Sequence, residues 1–82
     1  MKIYDFNGKK NISGGRIRLA RLERHLSQAE LATLMQIRGV VIERDSISRI
    51  ESDTRFVSDY ELSLFASVLG VSVEWLLNHP MK

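Results

Sequence analysis

Two stretches decide the fold: Leu26-Ser27-Gln28-Ala29-Glu30-Leu31-Ala32-Thr33-Leu34-Met35, then Arg44-Asp45-Ser46-Ile47-Ser48-Arg49-Ile50-Glu51. Ser27-Gln28-Ala29-Glu30 is a capping box: the Ser27 hydroxyl accepts from the Glu30 N–H, and the Glu30 carboxylate accepts from the Ser27 N–H. It opens a helix whose stripe carries Leu31, Leu34, Met35 and, a turn later, Arg38. Gly39 suits the left-handed position just past that helix's end. Val40-Val41-Ile42 is a short apolar link. The next helix ends near Ile50–Glu51. It points Ile47 and Ile50 inward and offers Arg44, Asp45, Ser48 and Arg49 outward.

Working outward, a first helix starts near Ser13–Gly15 and runs to about Arg24, with Ile17, Ala20 and Arg24 sharing one face. Arg16, Arg18 and Arg21 do not lie on one side of it, so they cannot all meet one partner. Ser52-Asp53-Thr54-Arg55 is a polar turn. Ser58-Asp59-Tyr60-Glu61 is a second capping box, opening a fourth helix with Leu62, Phe65, Ala66 and Leu69 at core spacing and Gly70 at its end. Ser72 caps a short fifth helix, with Glu74 in its first turn and Trp75, Leu76 and Leu77 as anchors. Residues 1–13 read as an N-terminal arm. Asn7-Gly8 marks a turn, and Ile3, Tyr4 and Phe6 either pack back on the domain or belong to a frayed end. Residues 14–78 form the helical domain and 79–82 a tail. The expected fold is all-α, a compact five-helix bundle.

Composition narrows the function. The 82 residues suffice for one domain, and 44% of them are apolar, which argues against disorder. With no cysteine, a disulfide scaffold, an iron–sulfur cluster and a cysteine zinc site are excluded. No apolar run is long enough to span a bilayer and Met1-Lys2-Ile3-Tyr4-Asp5 is not a secretory signal, so a cytoplasmic protein is expected. His25 and His79 stand far apart without a metal-ligand pattern, and Gly14-Gly15 is a pair rather than a phosphate loop. No nucleophile triad is evident. The residues imply no cofactor, metal, small-molecule ligand or catalysis. Net charge is only +2, but eleven of the twelve Lys and Arg residues fall within residues 1–55. That asymmetry points to a polyanion partner or to a solvated helix face.

Two helices joined by a link, the second exposing Arg, Ser and Asp, have the form needed to read a DNA major groove. The start of the first offers backbone N–H groups to phosphate. Four segments in order, Arg16-Ile17-Arg18, Leu26 to Ala32, Ile47-Ser48-Arg49-Ile50-Glu51 and Leu69-Gly70-Val71-Ser72-Val73-Glu74-Trp75-Leu76-Leu77, resemble the phage repressor/Cro-type (XRE-like) helix-turn-helix family. The resemblance covers roughly residues 14–78. It implies the lambda repressor-like fold and a double-stranded-DNA-binding transcription regulator, prokaryotic or phage, acting as a repressor. By its positions, Ser27 and Gln28 contact phosphate, and Arg44, Asp45 and Arg49 read bases. Ser46 and Ser48 lie close enough to contact phosphate or bases, and Arg55 approaches phosphate. Arg21 and Glu51 form a salt bridge that positions the reading helix. The family commonly binds as a two-fold homodimer, and Trp75, Leu76 and Leu77 are the candidate interface.

The sequence departs from the family pattern in four places. Gln36-Ile37-Arg38-Gly39-Val40-Val41-Ile42 makes the turn between the second and third helices several residues longer, extending the second helix and bringing Arg38 toward the DNA backbone. Glu43 stands where a Ser or Thr cap is usual, so the third helix begins either there or at Asp45, and Asp45 is then a cap rather than a base reader. His25 and Asp53 replace common glycines. The competing function is a protein-interaction module, an antitoxin or adaptor, built on the same fold. The chain stops soon after the fifth helix, so no appended self-cleaving or oligomerising domain is expected.

Overall fold

The computed structural model describes residues 6–78. Five helices follow in order: α1 (Gly14–Glu23), α2 (Gln28–Ile37), α3 (Arg44–Glu51), α4 (Asp59–Leu69) and α5 (Val73–Leu76). Both capping boxes form. In α2, Glu30 N–H donates to Ser27 Oγ at 3.0 Å and Ser27 N–H to Glu30 Oε1 at 2.7 Å. In α4 the equivalent Ser58–Glu61 distances are 3.3 and 3.0 Å. Ser72 Oγ accepts from Trp75 N–H at 2.9 Å at the start of α5.

Four helices end in the same way. Past α1, α2, α3 and α4 the chain turns left-handed at His25 (φ 57°), Gly39 (φ 93°), Asp53 (φ 67°) and Gly70 (φ 71°). The following N–H reaches back across the turn: Leu26 to Arg21 O, Val40 to Met35 O, Thr54 to Arg49 O, and Val71 to Ala66 O. This six-to-one bond satisfies a carbonyl that the helix leaves open. Two of the four positions are therefore filled by residues with a Cβ, at a steric cost that Asp bears better than most.

Ile17, Ala20, Leu31, Met35, Ile42, Ile47, Ile50, Phe65, Leu69 and Leu76 form the fully buried centre. Most expected stripes hold, with Leu34 and Leu62 only half-buried. Three expectations need correction. Arg24 and Arg38 are exposed, and in α1 it is Arg21 that turns inward. On α5 Leu76 is fully buried, and Trp75 is half-buried and packs against the core. Leu77 is not an anchor: it is 42% exposed, just past the end of this single-turn helix.

The segment before α1 packs on the domain from residue 6 onward. Asn7-Gly8 makes the expected tight turn, with Phe6 and Lys9 exchanging both backbone bonds at 2.8 and 2.9 Å. Phe6 itself is 43% exposed, and Ile3 and Tyr4 lie outside the described residues, as does the 79–82 tail. Lys10 N–H donates to Asp53 O at 2.9 Å. The Asn11 side chain is the main clasp: its Nδ2 donates to Ile50 O (3.0 Å) and Arg55 O (2.8 Å), and its Oδ1 accepts from Gly14 N–H (2.7 Å). These bonds draw the start of α1 onto the end of α3. The approach is so close that Gly14 has no room for a Cβ, which would run into the Ile50 carbonyl oxygen.

Candidate nucleic-acid interface

The candidate site is built on α2 and α3, which pack more extensively on each other than any other pair of helices. The buried Ile47 and Ile50 seat α3 on the core and turn its remaining residues outward. Arg44, Asp45 and Arg49 are exposed, while Ser46 and Ser48 are half-buried at the edges of that face. Glu43 is the N-terminal flanking residue of α3, with extended backbone and no capping hydrogen bond from its side chain. Asp45 is therefore not the cap. It lies in the first turn of α3, and Arg44 belongs to the helix rather than to the link. Asp45 instead pairs with Arg49 one turn on, at 3.1 Å between Oδ2 and Nη2.

A buried network fixes this face against α1 and α2. Arg21 Nε donates to Glu51 Oε2 at 2.7 Å, and Nη2 donates to Oε1 at 3.0 Å. This fork-to-carboxylate geometry is the strong, directional kind. Arg21 Nη1 also donates to Leu26 O at 2.8 Å, tying in the α1–α2 link. The hydrogen bonds that Arg21 donates to Glu51 raise the Arg21 pKa above its ordinary value, burial opposes this, and the charge of Glu51 adds to it. The Arg21–Glu51 pair is the one that the family resemblance implies. The third member was not: Gln28 Nε2 donates to Glu51 Oε1 at 3.1 Å. Gln28 thus sits half-buried at the start of α2, its amide held by the end of α3. The Ser27 hydroxyl keeps its own proton for a partner while accepting from Glu30. The first-turn N–H groups of Gln28 and Ala29 have no partner within the helix.

Two expected phosphate contacts are placed otherwise. Arg55 donates to Glu61 Oε1 (3.1 Å) and Oε2 (3.2 Å) and to Phe56 O (2.8 Å), so its guanidinium bridges into the α4 capping box. Burial pushes the Glu61 carboxyl up, but the Arg55 hydrogen bonds, the Ser58 N–H and the Arg55 charge together hold it below its ordinary value. Arg38 donates to Ser67 Oγ on α4 at 2.8 Å. Arg44 is the candidate cation with no ion pair or side-chain hydrogen bond among the described residues. Of the suggested interface, Leu76 is fully buried and is a core residue, not a surface one. Trp75 carries the Arg16 guanidinium over its ring, 4.5 Å from the centroid, a contact between distant segments that no local pattern marks.

The lengthened link is also held. Gln36 Nε2 donates to Ile42 O at 2.7 Å, and Val40 and Ile42 are buried while Val41 stands 89% exposed. A depression of about 340 Å³ lies along α2, lined by Leu26, Ala29, Glu30, Thr33 and Leu34, and is separate from the α3 face. Among the described residues no group of three His, Cys, Asp or Glu is placed to hold a metal ion, and no helix is long and apolar enough to cross a membrane.

An α-helical pair that presents one polar, charged helix on a buried scaffold defines the class of DNA-binding transcription regulators with a helix-turn-helix. The helix-turn-helix family HTH_3 matches residues 17–76, and the chain belongs to that family, of the repressor/Cro (XRE) type. Two solved structures share the fold. One is the P22 c2 repressor, described in complex with synthetic operator 9T in the presence of Tl+. It is 24% identical, with a TM-score of 0.70 over 83% of this chain and 96% of that one. The other is a hypothetical transcription factor, NHTF, from Neisseria, also 24% identical, with a TM-score of 0.74 over 98% of this chain and 86% of that one. No curated protein matches the sequence.

Proposed function

We propose that the protein is a sequence-specific double-stranded-DNA-binding transcription regulator, a repressor that binds an inverted-repeat operator as a homodimer. The observation that carries this reading is the outward face of α3, where Arg44, Asp45 and Arg49 stand exposed on a helix locked by the buried Arg21–Glu51 pair. α3 enters the major groove, where Arg reads guanine O6 and N7. Ser27, Gln28 and the first N–H groups of α2 bind phosphate and set the register. Ser46 and Ser48 flank the reading face. Occupying the operator blocks polymerase. The similar P22 c2 repressor, described with a synthetic operator, supports the DNA partner. Leu77 and the outer edge of Trp75 supply the dimer face.

The test is selection from a random duplex library on the purified protein at roughly physiological salt. An enriched inverted repeat with half-sites about 10–10.5 base pairs apart is expected. Log K falls as log salt rises, by about 0.9 for each phosphate that a cation neutralises. Arg44→Ala and Arg49→Ala weaken binding to the selected duplex. A folded protein that enriches no sequence, or a slope no steeper than about −2, overturns the reading in favour of a protein-binding module. A single half-site retains the regulator and removes the dimer.

A further inference from the structure

Asp45 presents a problem to a groove-reading helix. It is an acid on the face proposed to approach phosphates, its side chain is 77% exposed, and it neither caps α3 nor touches the core. Its contact is with Arg49, whose side chain is 59% exposed. As an exposed pair one helical turn apart it contributes only about 0.3–0.5 kcal/mol to the fold, so stability does not explain it. The geometry does suggest a role. Arg49 Nη2 lies 3.1 Å from Asp45 Oδ2, an ion pair that holds one end of the guanidinium beside the acid. The Nη1 and Nη2 hydrogens form the end of the fork that fits guanine O6 and N7.

We propose that Asp45 and Arg49 act as one unit that specifies a guanine in each half-site. Arg49 makes the base contact. Asp45 is a positioning residue that fixes the guanidinium plane before binding, while Arg49 neutralises the acid in the phosphate field. The inference rests on the DNA-reading role proposed for α3 and names a base it recognises. It assigns opposite effects to one side chain: Asp45 lowers affinity for DNA in general and raises selectivity for one base.

The test repeats the library selection with wild type, Asp45→Ala, Asp45→Asn and Arg49→Ala. It adds direct titration with poly(dA·dT), which contains no guanine, and with the selected duplex carrying 7-deazaguanine, which lacks the N7 acceptor. A bidentate Arg–guanine contact discriminates by roughly 5- to 150-fold, and wild type is expected to select one guanine per half-site within that range. Arg49→Ala abolishes that preference, and 7-deazaguanine weakens wild type more than it weakens Arg49→Ala. Asp45→Ala lowers the guanine preference by about fivefold or more, within the span of that contact, while binding poly(dA·dT) more tightly than wild type. Asp45→Asn, which keeps an acceptor but not the charge, binds poly(dA·dT) as tightly as Asp45→Ala and retains most of the guanine preference. Thermal melts confirm that each variant is folded. An Asp45→Ala protein with unchanged guanine preference overturns the proposal, as does a wild-type selection whose half-site holds no guanine dependent on Arg49. In either case an enriched operator leaves the regulator reading standing, whereas a selection that enriches nothing removes both.

Discussion

Gly14 and Gly15 are adjacent, both lie in the first turn of α1, and alanine should act on them in opposite directions. A Cβ at Gly14 runs into the Ile50 carbonyl oxygen and comes within 3.0 Å of Asn11 Oδ1 and Asp53 Oδ1. The Ile50 oxygen cannot step aside, because it belongs to α3 and accepts from Asn11 Nδ2 at 3.0 Å and Asp53 N–H at 3.1 Å. The start of α1 must lift away, which strains the packing by about 1–3 kcal/mol. It also stretches the bonds Asn11 makes across the junction, each worth about 1 kcal/mol. The gain in helix propensity returns at most about 1 kcal/mol. Gly14→Ala is thus expected to lose about 2–3 kcal/mol, lowering Tm by roughly 8–24 °C in a domain of this size. At Gly15 a Cβ meets nothing within 4 Å. There only the propensity gain remains, and Tm should rise by up to roughly 8 °C. Thermal and urea unfolding followed by far-UV circular dichroism measures both. Equal stability of the two variants would refute the close α1–α3 junction.

Three further outcomes follow from the same structure. Arg21→Met leaves the Glu51 carboxylate, whose side chain is 4% exposed, without its cation. A loss of about 3–5 kcal/mol is expected, as for other broken buried pairs, and a urea midpoint within error of wild type would count against the network. His25→Gly relieves a left-handed residue at φ 57°. It should gain about 1 kcal/mol and raise Tm, whereas a fall in Tm would show that the His25 ring contributes packing that outweighs the strain. Glu61 has a lowered pKa in the fold, so its contribution is present above the unfolded carboxylate value and is lost as pH falls through the folded one. Arg55→Met should therefore lower Tm at neutral pH and flatten its decline in acid, with the salt slope for DNA unchanged. A shallower salt slope at unchanged Tm would return Arg55 to the phosphate contacts.

Local signals carried most of the fold. Ser27-Gln28-Ala29-Glu30 and Ser58-Asp59-Tyr60-Glu61 named two helix starts because a capping box is complete within four residues. Gly39 and Gly70 marked two helix ends, and the family pattern marked His25 and Asp53 as residues in glycine positions. What the sequence hid is contact between distant segments. Nothing in Gly14-Gly15 says that only the first faces a carbonyl of α3. Arg55 and Arg38 look like free cations until α4 brings Glu61 and Ser67 beside them. Leu76 and Leu77 are chemically alike, and a one-turn helix gives too short a period to tell which is inside. The Asp45–Arg49 pair was within reach, since a four-residue spacing on a helix brings the two together. Glu43 obscured it by leaving the start of α3 open.

The long link between α2 and α3 need not alter how α3 is presented, and the reason is where the constraints sit. At the near end, the α2 terminus is closed by Val40 N–H on Met35 O at 3.2 Å, and Gln36 Nε2 holds Ile42 O at 2.7 Å. Val40 and Ile42 enter the core as two apolar pegs, 7% and 1% exposed. Between them Val41 stands exposed. At the far end, the Glu51 carboxylate gathers Arg21 from α1 and Gln28 from the start of α2. α3 is thus gripped at its far end by groups outside the link and entered at its near end from a link pinned to the core, so its orientation is set by those grips rather than by link length. The same Glu51 joins the helix proposed to read bases to the Gln28 amide proposed to hold phosphate. A change at Glu51 should consequently disturb register and base reading together, whereas shortening the link at Val41 should leave both intact.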